Sequence, residues 1–66
     1  MRSIYDIQQL LKKFGTVIYT GDRVADLQLM QEELHELNQS QLIERNDYQT
    51  ALFLIKQEIQ KEMSKK

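Results

Sequence analysis

The chain of 66 residues contains no cysteine, no proline and no tryptophan, and it has only two glycines. Without cysteine it can form neither a disulfide framework nor a thiolate metal site. The longest wholly apolar run, 51–55, is far shorter than the roughly 20 residues of a membrane helix, and the first residues lack the apolar stretch of a signal peptide. Hydrophobic residues make up 41% and charged residues 29%, a globular composition. We therefore expect one small soluble domain, spanning 1–66, in the cytoplasm and away from membranes.

Apolar residues recur at three- and four-residue steps in three stretches, which is the spacing of one stripe on a helix. The predicted helices cover about 4–14, 23–38 and 45–62. Gly15 follows the first of them, where a left-handed cap would end a helix, and Asp22 is a favourable N-cap for the second. Short connections favour antiparallel neighbours. The predicted fold class is therefore all-α, an up-down-up three-helix bundle.

The segment between the first two helices, from Thr16 to Thr20, is β-branched and aromatic. These residue types favour a strand, but the sequence offers no second strand to pair with it. We therefore predict an extended connector, in which Val17 and Ile18 cover one end of the core.

Charge is unevenly distributed along the chain. Residues 22–47 carry seven acidic side chains against two arginines, whereas the segments on either side of them are net basic. In an up-down-up bundle the first and third helices end where the second begins. We therefore predict a basic pole at that end, formed by Lys12, Lys13, Arg23, Lys61, Lys65 and Lys66. Positive charge in the last turn of a helix is also an ordinary complement of the helix dipole, so the charge pattern alone leaves the role of this pole open.

The connector would lie at the same basic pole. Its aromatic side chain, Tyr19, could stack on a base, and the unpaired N–H groups at the start of the second helix attract anions. The predicted pole thus offers a polyanion charge, hydrogen-bond donors and a stacking ring.

The sequence shows no set of nucleophile, base and orienting residue, and its glycines do not have the spacing of a phosphate-binding loop. We therefore expect no enzymatic activity and no cofactor. His35 lies among Glu32, Glu33 and Glu36, but the chain has no second histidine and no cysteine to complete a zinc site. We expect an exposed histidine beside acidic residues, and no metal.

Two other binding roles stay open. Asn46, Gln49 and Phe53 could line a recognition helix that reads duplex DNA, although the acidic second helix would face the phosphates. Alternatively, Phe53 and Leu54 fall off the main stripe of the third helix. If both are exposed, they mark a protein-protein interaction or regulatory surface together with the acidic face of the second helix; we expect one of the two to pack in the core.

The stretch 14–23, which reads Phe-Gly-Thr-Val-Ile-Tyr-Thr-Gly-Asp-Arg, resembles the opening half of the YqgQ-like family of short bacterial proteins. Residues 42–43, 47–48 and 51–52 resemble the second half of that family. Two departures are present. Before Leu42 the family often has a glycine, where this chain has Gln41. The third helix of the family is commonly richer in arginine than Lys56-Gln57, which argues against phosphate contacts from this helix.

This resemblance implies a three-helix bundle that is monomeric or weakly self-associating, and a role in binding single-stranded nucleic acid. No catalytic residue comes with it. Charge pattern and resemblance together predict weak binding of single-stranded DNA or RNA, sensitive to salt. The residues predicted to carry it are Lys12, Lys13, Tyr19, Thr20, Arg23 and Lys61.

Overall fold

The computed structural model describes residues 2–65, which fold into three α-helices. Helix α1 covers Ile4–Lys13, α2 covers Arg23–Gln39 and α3 covers Arg45–Met63. Each helix ends within one residue of the predicted range, and the all-α three-helix bundle is confirmed. Within residues 2–65, no helix combines the length and the apolar character that crossing a membrane requires.

Both predicted helix-end signals around the first connection are confirmed. Gly15 has a φ of 82° and donates its N–H to the Lys12 carbonyl at 3.0 Å, which closes α1 with a left-handed residue. The Asp22 carboxylate accepts the N–H groups of Val24 at 3.0 Å and Ala25 at 3.4 Å, so it is the N-cap of α2.

The turn between α2 and α3 is closed in a similar way without glycine. Gln41 has a φ of 59°, and the next residue, Leu42, donates its N–H to the Leu37 carbonyl at 2.9 Å. This is a left-handed helix cap formed by a residue other than glycine.

Helices α2 and α3 lie antiparallel, because Arg23 at the start of α2 reaches Glu58 late in α3, and His35 late in α2 reaches Tyr48 early in α3. The core draws on all three helices. Its fully or largely buried apolar residues are Ile4, Ile7, Leu11, Leu27, Met30, Leu34, Leu37, Ala51 and Ile55. Of the two α3 residues Phe53 and Leu54, one was predicted to pack in the core. Leu54 does so, whereas Phe53 is exposed.

The connector between α1 and α2 runs back along α2. Thr16 donates its hydroxyl to Glu33 in the second half of α2 at 3.1 Å, whereas Thr20 bonds to Asp26 in the first turn. Helix α1 therefore ends about half-way along α2, and the connector covers the remaining half. Within it Ile18 packs against the core as predicted, but Val17 is exposed, so the prediction that Val17 also covers the core is wrong.

Candidate nucleic-acid interface

The structure does not bring Lys12 and Lys13 to the start of α2. Lys12 lines a cleft with Met30, in the middle of α2, and Lys13 lines another with Asp6 and Asp47. Because α1 ends half-way along α2, these lysines lie roughly 10 Å along the helix axis from Arg23. The prediction of one basic pole is wrong for them, since the nine residues between the helices (14–22) set α1 back from that pole.

Arg23 and Lys61 do adjoin each other, through a shared acidic neighbour. The Arg23 guanidinium lies 3.7 Å from the Glu58 carboxylate, and Glu58 lines a cleft together with Lys61. Lys65, by contrast, pairs with Glu62 at 2.9 Å. Lys66 lies outside the described residues.

Tyr19 and Thr20 are neighbours with different roles. The Tyr19 side chain is 87% exposed and free to stack on a ligand. The Thr20 hydroxyl donates to Asp26 at 2.6 Å and accepts the N–H of Asp22 at 3.2 Å. The only hydroxyl hydrogen of Thr20 is therefore donated within the protein and cannot be donated to a phosphate.

The start of α2 is not an open anion site either. Asp22 already occupies two of the first N–H groups, and the Asp26 carboxylate, only 8% exposed, lies one turn further on. Two carboxylates in the first turn complement the helix dipole and repel a phosphate. The predicted attraction of a polyanion to these N–H groups therefore has no support in this geometry.

A further candidate surface lies on the outer side of α3. Phe53 is 63% exposed there, and it shares one open cleft with two lysines, Lys56 and Lys61. We call this surface the α3 cleft; its other lining residues are Gln57, Glu58, Gln60 and Ser64. An exposed ring in one cleft with two ammonium groups and side-chain amides is a combination that can stack on the bases of a single strand and contact its phosphates.

Sequence reasoning selected only Lys61 from the α3 cleft. Phe53 was assigned to a recognition helix, a partner surface or the core, and Lys56 to no site. The usable signal is periodicity, because positions 53, 56, 57, 60, 61 and 64 follow three- and four-residue steps and hence share one helix face.

His35 is exposed, as predicted, and lies in a small polar cluster. Its Nδ1 lies 3.3 Å from the Tyr48 hydroxyl, and its Nε2 lies 3.2 Å from the Gln39 amide nitrogen. Across residues 2–65, no three His, Cys, Asp or Glu side chains are grouped so that they could hold a metal ion. The cluster thus ties α2 to α3 by hydrogen bonds.

The fold and this surface define a small three-helix protein with an exposed aromatic side chain and two lysines in one cleft of α3. The family model for YqgQ-like proteins matches residues 1–61. The chain therefore belongs to the YqgQ-like family. A curated relative, "Uncharacterized protein YqgQ" of Bacillus subtilis (strain 168), is 38% identical over 60 residues, which cover 91% of this chain and 84% of the relative.

Proposed function

We propose that the protein binds single-stranded DNA or RNA in the bacterial cytoplasm, weakly and without sequence preference, as a non-enzymatic binding protein. The α3 cleft is the centre of the proposed site. The observation that carries the proposal is the exposure of Phe53 in the same cleft as Lys56 and Lys61.

Each part of the α3 cleft has a defined task in this proposal. Phe53 stacks on a base, which is worth about 1–3 kcal/mol per base in such proteins. Lys56 and Lys61 contact phosphates on either side of the stacked nucleotide. Arg23 adds a third positive charge, which its 3.7 Å pairing with the half-buried Glu58 reduces only in part. Tyr19 offers a second exposed ring outside the α3 cleft. Because every base can stack on an aromatic ring, we expect no base preference.

A flexible single strand fits the charge distribution better than a duplex. A rigid duplex would span a wide surface, and the exposed Glu32 and Glu36 of α2 and Asp47 at the start of α3 would then oppose its phosphates. A single strand can follow the outer side of α3 alone. For the same reason a recognition-helix role for Asn46 and Gln49 is disfavoured, because Asp47 lies between them.

The test is a titration of fluorescently labelled oligo-dT and oligo-rU, followed by anisotropy at several salt concentrations. Three phosphate contacts predict that log affinity falls with log salt with a slope of about −2, at about −0.7 per contact on single strands. Phe53→Ala should weaken binding about tenfold with an unchanged slope. Lys56→Gln with Lys61→Gln should weaken binding and make the slope shallower.

The matched control is Lys12→Gln with Lys13→Gln, which removes the same charge from α1, outside the α3 cleft. It should reduce affinity less than the pair in the α3 cleft. No binding at low salt, or an affinity that ignores salt, would overturn the proposal. Equal losses from the two lysine pairs would reject the α3 cleft as the site.

A protein-protein interaction or regulatory module is the rival function, using Phe53, Leu54 and the acidic face of α2. Leu54 packs against the core, however, so Phe53 is not part of the two-residue apolar patch that this role predicted. The rival proposal therefore lacks the observation that would favour it over binding of nucleic acid.

A further inference from the structure

The connector segment 16–20 is neither helix nor turn, and it runs along α2 without a pairing strand among the described residues. Its two ends bond to Glu33 and Asp26 of α2, positions that are about 10 Å apart along the helix, and four fully extended steps would span about 13 Å. Exposure alternates as in a strand: Val17 is 79% and Tyr19 87% exposed, whereas Ile18 between them packs against the core.

One edge of this strand faces its own protein. The Thr16 N–H donates to the Leu11 carbonyl at 3.0 Å, and the Thr20 N–H donates to the Asp26 carboxylate at 2.7 Å. In an extended chain, alternate N–H groups point to opposite edges. The N–H and C=O groups of Val17, Ile18 and Tyr19 have no hydrogen-bond partner among residues 2–65. If the segment is extended, those of Val17 and Tyr19 share the edge opposite to the bonded N–H groups of Thr16 and Thr20.

We propose that this free edge pairs with the same edge of a second copy of the chain, in antiparallel orientation. The order Thr-Val-Ile-Tyr-Thr is nearly symmetric about its centre. Pairing centred on Ile18 sets each Val17 opposite the Tyr19 of the second copy, and each Thr16 opposite its Thr20. Cross-strand pairs of a β-branched with an aromatic residue, and of two threonines, are favourable.

The hydrogen-bond pattern agrees with this register. In an antiparallel pair, directly opposite residues alternate between bonded and non-bonded positions. Centring on Ile18 makes Val17 and Tyr19 the bonded pair, and these are the residues whose backbone groups point to the free edge. Two such pairs exchange four N–H···O=C bonds.

Charged residues flank the segment and favour an antiparallel partner. The exposed Lys12 and Lys13 precede it, and the exposed Asp22 and Arg23, whose charges cancel, follow it. Parallel pairing would set the lysines of the two copies side by side, whereas antiparallel pairing puts them at opposite ends of the ribbon. Because a two-stranded ribbon of five residues is small and marginal on its own, the pairing is weak and reversible.

The experiment is sedimentation equilibrium on the full chain from 20 μM to about 2 mM, with amide chemical shifts recorded over the same series. The expected result is a concentration-dependent dimer whose largest shifts fall at Val17 and Tyr19. Val17→Pro and Tyr19→Pro each remove one bonding N–H from the free edge and should raise the dimer dissociation constant at least tenfold. Val17→Thr keeps the N–H group and the strand propensity, so it should retain the dimer.

Both prolines replace exposed side chains in an already extended segment, and the helical circular dichroism of each variant reports whether the bundle survives. A chain that stays monomeric at 2 mM would overturn the proposal. So would a dimer that tolerates both prolines, since its interface must then lie elsewhere. Shifts at Val17 and Tyr19 that appear only on adding a single strand or an extended peptide would assign the edge to that ligand and overturn self-pairing.

Discussion

At the scale of single residues, we expect Thr20 to contribute to the stability of the fold and not to the binding of single strands. Its hydroxyl donates to the largely buried Asp26 carboxylate at 2.6 Å. Hydrogen bonds to charged groups are worth about 1.5–3 kcal/mol, so Thr20→Val should lower the free energy of unfolding by about that amount. Urea unfolding followed by circular dichroism measures it. Affinity for single strands, measured below the unfolding transition, should stay unchanged; a loss of affinity at constant stability would place Thr20 in the binding site instead.

The sequence identified these residue-scale roles only in part. The capping role of Asp22 followed from residue type and position, because an N-cap is a local structure. The engagement of Thr20 with Asp26 was not visible, since both threonines of the connector look alike in sequence and only the path of the chain brings one of them to a buried carboxylate. Phe53 and Leu54 likewise differ only through what lies beside them in the bundle.

At the scale of elements, the turn between α2 and α3 contains one residue with a strained backbone, and a glycine substitution should relieve that strain. Gln41 holds a φ of 59°, where a residue with a Cβ pays about 1–2 kcal/mol that glycine does not. Glycine has a larger entropy loss on folding, so Gln41→Gly should stabilise the protein by only about 0.5 kcal/mol, or a few degrees in melting temperature. The neighbouring Ser40, with a φ of −82°, supplies the control.

Ser40→Gly should not stabilise, because that residue has no strain to relieve and glycine only adds entropy to the unfolded chain. Thermal unfolding of the two variants side by side measures the difference. If Gln41→Gly melts at or below the temperature of Ser40→Gly, the left-handed conformation of Gln41 is not a source of strain in solution.

The elements themselves were predictable, but their relative placement was not. Apolar spacing and end signals located all three helices, since both act within a few residues. The offset of α1 along α2 depends on where Thr16 meets Glu33, a pairing seventeen positions apart that no local pattern encodes. This offset is why Lys12 and Lys13 lie away from Arg23, and why the predicted basic pole is divided.

At the scale of the whole molecule, a nine-residue core must hold three helices together. A chain of this size has a free energy of unfolding of roughly 3–10 kcal/mol. Ile7 is fully buried at the centre of α1, and Ile7→Ala should remove about 2–5 kcal/mol, a large share of the total. Because α1 shares the core with α2 and α3, the loss should appear as one cooperative transition at lower denaturant concentration.

Tyr5→Ala is the matched control on the same helix, since its side chain is 64% exposed and its loss should change stability by less than about 0.5 kcal/mol. Helical circular dichroism and the chemical shifts of α2 and α3 should report the same midpoint for Ile7→Ala. Two separate midpoints, with α1 melting first and the α2–α3 pair persisting, would show that α1 is docked on an independently stable hairpin. In that case the core is not shared by the three helices, and α1 with its two lysines can leave the bundle without unfolding it.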